Sequence, residues 1–273
     1  MSAKAYGLLG GKLGHSLSPR IHELFFAYTE TEGSYSLLET ELEALPQRMQ
    51  QLQENYAGCN VTIPHKLHVL PYLAGITAEA EAIGAVNTIK FTDKGAFGYN
   101  TDYFGFGRML EHNGISVTGK AVAVLGTGGA ARAVLKYLAD KNVGTVYLVT
   151  RNPSAVDSSL LAIAPMAKAC GYDALADITG AVLVNCTPVG MFPKVDAAPV
   201  GAEISKCFDA SIDLIYNPAA TQFLQQAKDA GKQYVNGLFM LVAQAVAAQE
   251  IWQSAQYDSS LIVQIMKQLE QEL

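Results

Sequence analysis

Short apolar runs alternate with amphipathic stretches along the whole chain, and their spacing predicts strands and helices in turn. Residues 5–10 form an apolar run of strand length, followed by a glycine- and serine-rich loop over 10–19. Ser18 followed by Pro19 marks a helix start, with Ser18 as N-cap and Pro19 at the first helical position. Apolar residues at 21, 24, 25 and 28 give that helix one apolar side up to about Tyr28. A strand near 34–38, a helix near 42–54, a strand over 58–64 ending at Pro64, a short helix over 79–84 and a strand over 85–91 follow. A βαβ unit is then predicted from a strand over 121–125, a helix over 130–139 and a strand over 145–150. Strands at 181–186, 211–215 and 233–235, a helix over 238–253 and an amphipathic helix over 259–271 complete the pattern. The alternation implies open α/β sheets.

The length of 273 residues exceeds what one core usually serves, so two domains are expected. Hydrophobic residues make up 50% and charged residues 16%, the balance of a compact chain rather than a disordered one. A net charge of −6 without any Lys/Arg run argues against nucleic acid as a partner. The first residues, Met1 to Tyr6, carry no apolar run of a signal peptide and no long apolar stretch occurs elsewhere, which points to the cytoplasm and away from a membrane. Cys59, Cys170, Cys186 and Cys207 form no C-x-x-C pair, and no His cluster has zinc spacing; free thiols and no metal are the expectation.

Candidate chemistry starts where the strand over 121–125 runs into Gly126-Thr127-Gly128-Gly129-Ala130-Ala131. This spacing suits the G-x-G-x-x-[G/A] turn, whose backbone N–H groups and helix N-terminus meet a pyrophosphate. The same glycines also serve a ligand-free turn. After the next strand come Thr150-Arg151-Asn152, with no acid before Asp157 to accept from a ribose 2′-hydroxyl. Arg151 suits a 2′-phosphate, which favours NADP over NAD; its other reading is a solvated surface arginine.

Further polar clusters fall beyond predicted strand ends. Ser16 and Ser18 offer two hydroxyls ahead of a helix N-terminus, a setting for a carboxylate, although capping explains Ser18 in part. Asn60 and Thr62 alternate with apolar residues and so face one side of their strand, and Lys66 opens the next segment. Lys66 reads either as a surface charge or as a general acid/base. Asn87 and Asp102 follow; Asp102 also suits an N-cap, and paired with Lys66 it would hold the ammonium in place. Met240 and Gln244, four apart, share a helix face, where Met240 suits the core or a flat ring and Gln244 suits solvent or a substrate hydroxyl. Tyr216 stays undecided by pattern.

Together these segments resemble the shikimate dehydrogenase family over essentially the whole chain. The resemblance is carried by Gly14-His15-Ser16-Leu17-Ser18-Pro19, Asn60-Val61-Thr62-Ile63-Pro64-His65-Lys66, Gly84-Ala85-Val86-Asn87-Thr88 and Asn100-Thr101-Asp102. The glycine loop, Asn185-Cys186-Thr187-Pro188-Val189-Gly190-Met191, Ile215-Tyr216-Asn217-Pro218 and the run from Gly237 to Gln244 complete it. It implies a substrate domain over 1–102, completed by the helices over 238–273, and an NADP-binding Rossmann domain over 103–237. It implies reversible reduction of 3-dehydroshikimate to shikimate with NADPH, in the route to chorismate and aromatic amino acids. By the same resemblance, Lys66 and Asp102 would be the acid/base pair. Ser16 and Ser18 would bind the carboxylate; Asn60, Thr62, Asn87, Asp102, Tyr216 and Gln244 would complete the substrate set. The loop Gly126, Thr127, Gly128, Gly129, Ala130 would take the pyrophosphate, with Thr150, Arg151 and Asn152 around the 2′-phosphate. Thr187, Leu214, Gly237 and Met240 would line the ribose and nicotinamide end. The implied protein is a monomer or homodimer with small-molecule partners.

One departure bears on the cofactor. NADP-using members commonly show Asn-Arg-Thr after the second Rossmann strand and a second cation four residues beyond the Arg, where this chain has Ala155. A single-Arg clamp implies a looser preference, with NAD as a weaker alternative and quinate as a second candidate substrate. A ligand-sensing relative without catalysis would lack the Lys–Asp pair, and a methylenetetrahydrofolate dehydrogenase-like enzyme does not account for the two serines and Gln244.

Overall fold

The computed structural model describes residues 4–272; residues 1–3 and 273, at the ends of the expected substrate domain, lie outside the described residues. The chain runs β1 (Lys4–Gly10), α1 (Ser18–Thr29), β2 (Gly33–Glu39), α2 (Leu45–Asn55), β3 (Gly58–Val61), β4 (Gly75–Ile76), α3 (Ala78–Ile83), β5 (Thr88–Thr92), β6 (Gly95–Tyr99) and α4 (Thr101–His112). It continues through β7 (Ala121–Leu125), α5 (Gly129–Asp140), β8 (Thr145–Val149), α6 (Ser158–Ile163), β9 (Ala167–Cys170), β10 (Gly180–Asn185) and α7 (Ala202–Ser205). The last elements are β11 (Phe208–Asp213), α8 (Gln222–Asp229), β12 (Gln233–Val235), α9 (Leu238–Gln253) and α10 (Ser259–Glu272). Two compact units emerge: Met1–Gly105 with Val242–Leu273, and Phe106–Leu241, so the divisions fall inside α4 and α9.

The first unit is built on a six-stranded sheet ordered β2-β1-β3-β5-β6-β4. β1 pairs in parallel with β2 and β3, whereas β5 runs antiparallel to both β3 and β6. The antiparallel β5–β6 pairing follows from the tight turn between them, where Thr92 Oγ1 donates to the Gly95 carbonyl and accepts from the Lys94 N–H. The sequence expectation of a strand over 85–91 is corrected to β5, which starts at Thr88. Residues 85–87 bond elsewhere: the Val86 N–H donates to the Lys66 carbonyl and the Asn100 side chain donates to the Ala85 carbonyl. The strand expected over 58–64 likewise ends at Val61, and the segment over 62–66 becomes a turn. On one side of the sheet Leu9, Val61, Ile89 and Phe91 pack with Met49 and Leu52 of α2. Elsewhere Tyr6 stacks on Trp252 of α9 with ring centroids 4.7 Å apart, and Trp252 Nε1 donates to the Ile89 carbonyl. α9 is apolar nearly all round, the pattern of a helix covered on every side, and residues 245–248 are all buried.

The second unit has a six-stranded, wholly parallel sheet ordered β12-β11-β10-β7-β8-β9. Counted from β7, this is the doubly wound order 3-2-1-4-5-6, whose switch point lies between β7 and β10. Its strands are near-continuous apolar runs because both faces are covered: Ala123, Leu125, Val149, Leu183 and Phe208 share a core with Phe223 and Leu224 of α8. Among the described residues no helix is long and apolar enough to cross a membrane.

Candidate active site

In the first unit, polar side chains gather where β1 and β3 end and β5, α1 and α4 begin. Lys66, in the turn after β3, donates from Nζ to Asp102 Oδ2 at 2.6 Å, with the two side chains 24% and 16% exposed. Asp102 lies in the first turn of α4 rather than at its N-cap. Asn100 takes that role instead, its Oδ1 accepting from the Tyr103 N–H at 3.4 Å. The carboxylate is thereby left to the ammonium, near the helix end that favours negative charge. Lys66 keeps two of its three donors outside any intramolecular bond among the described residues.

Around this pair runs a buried hydrogen-bond network. Asn87 Oδ1 accepts from the Thr101 N–H at 2.7 Å and from Thr88 Oγ1 at 3.0 Å, which fixes the amide and leaves Nδ2 without an intramolecular partner among the described residues. Thr101 Oγ1 also reaches Gln244 Oε1 at 3.3 Å, tying α4 to α9 within the unit. Asn60 behaves differently. Its Oδ1 accepts from Tyr35 Oη at 2.7 Å and its Nδ2 donates to Thr88 Oγ1 at 3.0 Å, so this buried amide points its contacts inward and supports the cluster from below. Thr62 is half-buried just past the end of β3.

The serines exchange the roles expected of them. Ser18 is already the first residue of α1, Leu17 stands at the N-cap with no side-chain capping bond, and Ser16 Oγ accepts from the Ser18 N–H at 3.2 Å. Ser18 is buried and Ser16 half-buried, so both hydroxyls stand at the start of a 12-residue helix. Arg20, one turn on, is bound to Glu272 at 2.6 Å and Glu23 at 2.9 Å; an anion at the serines therefore relies on hydroxyl and backbone donors.

In the second unit the strand ends beside the switch point carry the glycine loop. Gly126 has φ +97°, the left-handed region that favours glycine, and a Cβ there would stand 2.8 Å from Thr187 Cγ2. Gly128 is the extended N-cap of α5 without a side-chain cap, and a Cβ on it or on Gly129 would meet nothing within 4 Å. Uncapped N–H groups facing open space beside a helix N-terminus fit a pyrophosphate. Thr127 is exposed and Ala130 half-buried on the same turn. Past β8, Thr150 donates its N–H to the Cys170 carbonyl, while Arg151 and Asn152 are exposed. Among the described residues no carboxylate pairs with Arg151, and its charge draws down the pKa of Tyr172, which burial raises. Leu214 follows β11, and Gly237 packs so closely on the Leu214 carbonyl that a Cβ would collide with it. Met240 is buried and Tyr216 half-buried.

Asn185, Asp213 and Thr221 carry no site role in the sequence motifs. Asp213 is fully buried at the end of β11 and accepts from Asn185 Nδ2 at 3.0 Å, the Ile215 N–H at 3.1 Å and Thr221 Oγ1 at 2.6 Å. Burial pushes its carboxyl from 3.8 up to about 6 against these three hydrogen bonds, and burial together with the Asp213 charge pushes the neighbouring Cys186 thiol up as well. Because the folded state holds the Asp213 proton more tightly, the associated stability is full below the ordinary carboxylate pKa and is lost as pH rises through about 6. Asp213→Asn should remove this loss, so the variant gains on the wild type between about pH 4 and pH 7 by at most on the order of 3 kcal/mol in urea unfolding. A stability difference that stays constant over that range contradicts the assignment.

An α/β chain with a doubly wound dinucleotide fold and a separate lysine–carboxylate cluster defines a class, the two-unit nicotinamide-dependent enzymes. The comparisons narrow it. Residues 8–89 match the profile of the shikimate dehydrogenase substrate binding domain. A shikimate dehydrogenase (NADP(+)) of Clostridium beijerinckii is 44% identical over 261 residues, covering 94% of each chain. The crystal structure of a chorismate mutase/shikimate 5-dehydrogenase fusion protein from Clostridium acetobutylicum superposes with TM-score 0.93 at 42% identity, covering 100% of this chain and 98% of that one. Shikimate 5-dehydrogenase from Thermus thermophilus, in complex with NADP(H) and shikimate, gives TM-score 0.86 at 34% identity, covering 97% of this chain and 99% of that one. The chain belongs to the shikimate dehydrogenase family.

Proposed function

We propose that this enzyme reversibly reduces 3-dehydroshikimate to shikimate with NADPH. The observation that carries the reading is the Lys66–Asp102 pair at 2.6 Å, set beside the Ser16 and Ser18 hydroxyls and the Asn87 amide in the unit whose residues 8–89 match the substrate-binding profile. In this reading the unit Met1–Gly105 with Val242–Leu273 is the substrate domain and Phe106–Leu241 the NADP domain.

Bound NADPH supplies the hydride. The chain's own residues handle binding and the proton. Ser16 and Ser18 donate to the substrate carboxylate, with the α1 N-terminus adding its dipole. Thr62, Asn87 and Gln244 hold ring hydroxyls, and Asn60 fixes Thr88 and through it Asn87. Lys66 gives a proton to the carbonyl oxygen during reduction and takes it from the hydroxyl in the reverse direction. Asp102 anchors the ammonium so that a remaining donor points at that oxygen, and it accepts from a neighbouring substrate hydroxyl. The uncapped Gly128–Gly129 turn takes the pyrophosphate and the exposed Arg151 the 2′-phosphate, with Thr150 and Asn152 beside it. Thr187, Leu214, Gly237 and Met240 line the ribose and nicotinamide end. With Ala155 offering no second cation, NAD is a weaker alternative cofactor.

The test is the absorbance of reduced nicotinamide with purified protein and each of shikimate or quinate paired with NADP or NAD. Fast reduction of NADP with shikimate is the expected result. Turnover of quinate, or equal rates with NAD, would replace the specific reading by a broader quinate/shikimate one. Binding without turnover in every pairing would overturn the assignment as an enzyme of this reaction.

A further inference from the structure

Asp213 is a fully buried carboxylate to which the proposed chemistry gives no task. Its contacts reach each segment assigned above to the nicotinamide end. Through Asn185 Nδ2 it orients an amide whose Oδ1 accepts from the Thr187 N–H at 3.0 Å and from Thr187 Oγ1 at 2.6 Å. Thr187 Oγ1 in turn accepts from the Val189 N–H at 3.2 Å, which closes the turn after β10. Through the Ile215 N–H it bends the chain directly after Leu214, and the Ile215 carbonyl accepts from the Gly237 N–H at 2.9 Å. Through Thr221 it holds the N-cap of α8, whose Oγ1 also accepts from the Leu224 N–H. Adjacent parallel strands put Asn185 and Asp213 in register, so the carboxylate spans both strand ends at once.

We propose that Asp213 is a positioning residue for the dinucleotide, setting the spacing of the Thr187 turn, the Leu214 turn and Gly237 so that they fit the ribose and nicotinamide together. The proposal rests on the assignment of NADP to this unit. A carboxylate suits the task because it accepts three hydrogen bonds at fixed angles and donates none, so Asn185, Ile215 and Thr221 are pulled towards one centre and Gly237 is held through the Ile215 carbonyl. A buried apolar residue of the same size would leave the Ile215 N–H unpaired and the Asn185 Nδ2 with only its 3.4 Å bond to the Val189 carbonyl, and the turns free to separate. Asp213 touches neither ligand in this arrangement; it acts through Thr187, Leu214 and Gly237.

The experiment measures the dissociation constant of NADPH by its fluorescence, without substrate, for the wild type and for Asp213→Ala and Asp213→Asn, beside the KM for shikimate and the melting temperature. Asp213→Ala should weaken NADPH by about tenfold, as loss of charge-assisted hydrogen bonds predicts, with the shikimate KM within about twofold of the wild type. Asp213→Asn keeps the shape and two of the acceptor contacts and should restore most of the affinity. Thr221→Val removes the 2.6 Å donor to Asp213 together with the cap on the Leu224 N–H, and serves if the alanine variant fails to fold; it should weaken NADPH by roughly threefold. A folded Asp213→Ala or Thr221→Val protein that binds NADPH like the wild type overturns the proposal, as does an equal rise in the shikimate KM. A purely structural role would lower the melting temperature without moving the NADPH constant. Wild-type protein that binds NADPH but does not turn over shikimate would sink the proposed reaction while leaving the binding result readable.

Discussion

Lys66→Ala lowers kcat by about 10²- to 10⁴-fold, the range expected for loss of a positioned general acid/base, and leaves the shikimate KM within a few fold. The expectation follows from the geometry of the first unit. The Lys66 ammonium is fixed by Asp102 at 2.6 Å and keeps two donors unused, so in the proposed reading its removal deletes the proton donor while the serines keep the carboxylate and Asn87 and Gln244 the ring. Lys66→Arg sharpens the comparison, because a guanidinium preserves the charge beside Asp102 but does not give up its proton near neutral pH. If arginine restored turnover, Lys66 would act through charge alone. A large rise in KM with kcat unchanged would make Lys66 a binding residue.

Arg151→Ala raises the KM for NADP by about tenfold or more and leaves that for NAD nearly unchanged, since a hydrogen-bonded charge contact is worth about 1.5–3 kcal/mol and tenfold is about 1.4. The guanidinium is exposed, no carboxylate among the described residues neutralises it, and Ala155 supplies no second cation to share the 2′-phosphate. In the proposed reading the preference for NADP therefore rests on one cationic side chain. Steady-state kinetics with both cofactors decide the matter. Parallel losses with NADP and NAD would move Arg151 from the 2′-phosphate to a general structural role.

How much of this was legible beforehand depends on range along the chain. The βαβ unit over 121–150 was readable because each signal is local: an apolar strand, a glycine turn whose first residue must take a positive φ, and a helix with one apolar face. The helix over 238–253 was readable for the same reason, its length and apolarity lying within one segment. The strand over 85–91 was misplaced because apolar residues at 85 and 86 look like strand, yet their backbone bonds to Lys66 and Asn100, partners far outside any local window. Ser16 and Ser18 exchanged roles because the capping pattern does not fix which of two nearby hydroxyls turns back to the chain.

By itself, the sequence determined the alternation of elements, the dinucleotide turn, the residue types at the candidate site and, through its motifs, the family. Those are properties of short segments, set by periodicity and backbone sterics. Tertiary structure alone decided that Lys66 and Asp102, 36 residues apart, meet at 2.6 Å, and that Asn60 turns inward while Asn87 keeps an unused donor. It also decided that Asp213, one acid among 25 acidic residues, is buried at the junction of three turns. Contacts of that kind depend on which strands lie side by side, and strand order is fixed by burial and ladder pairing over the whole sheet, not by any segment alone.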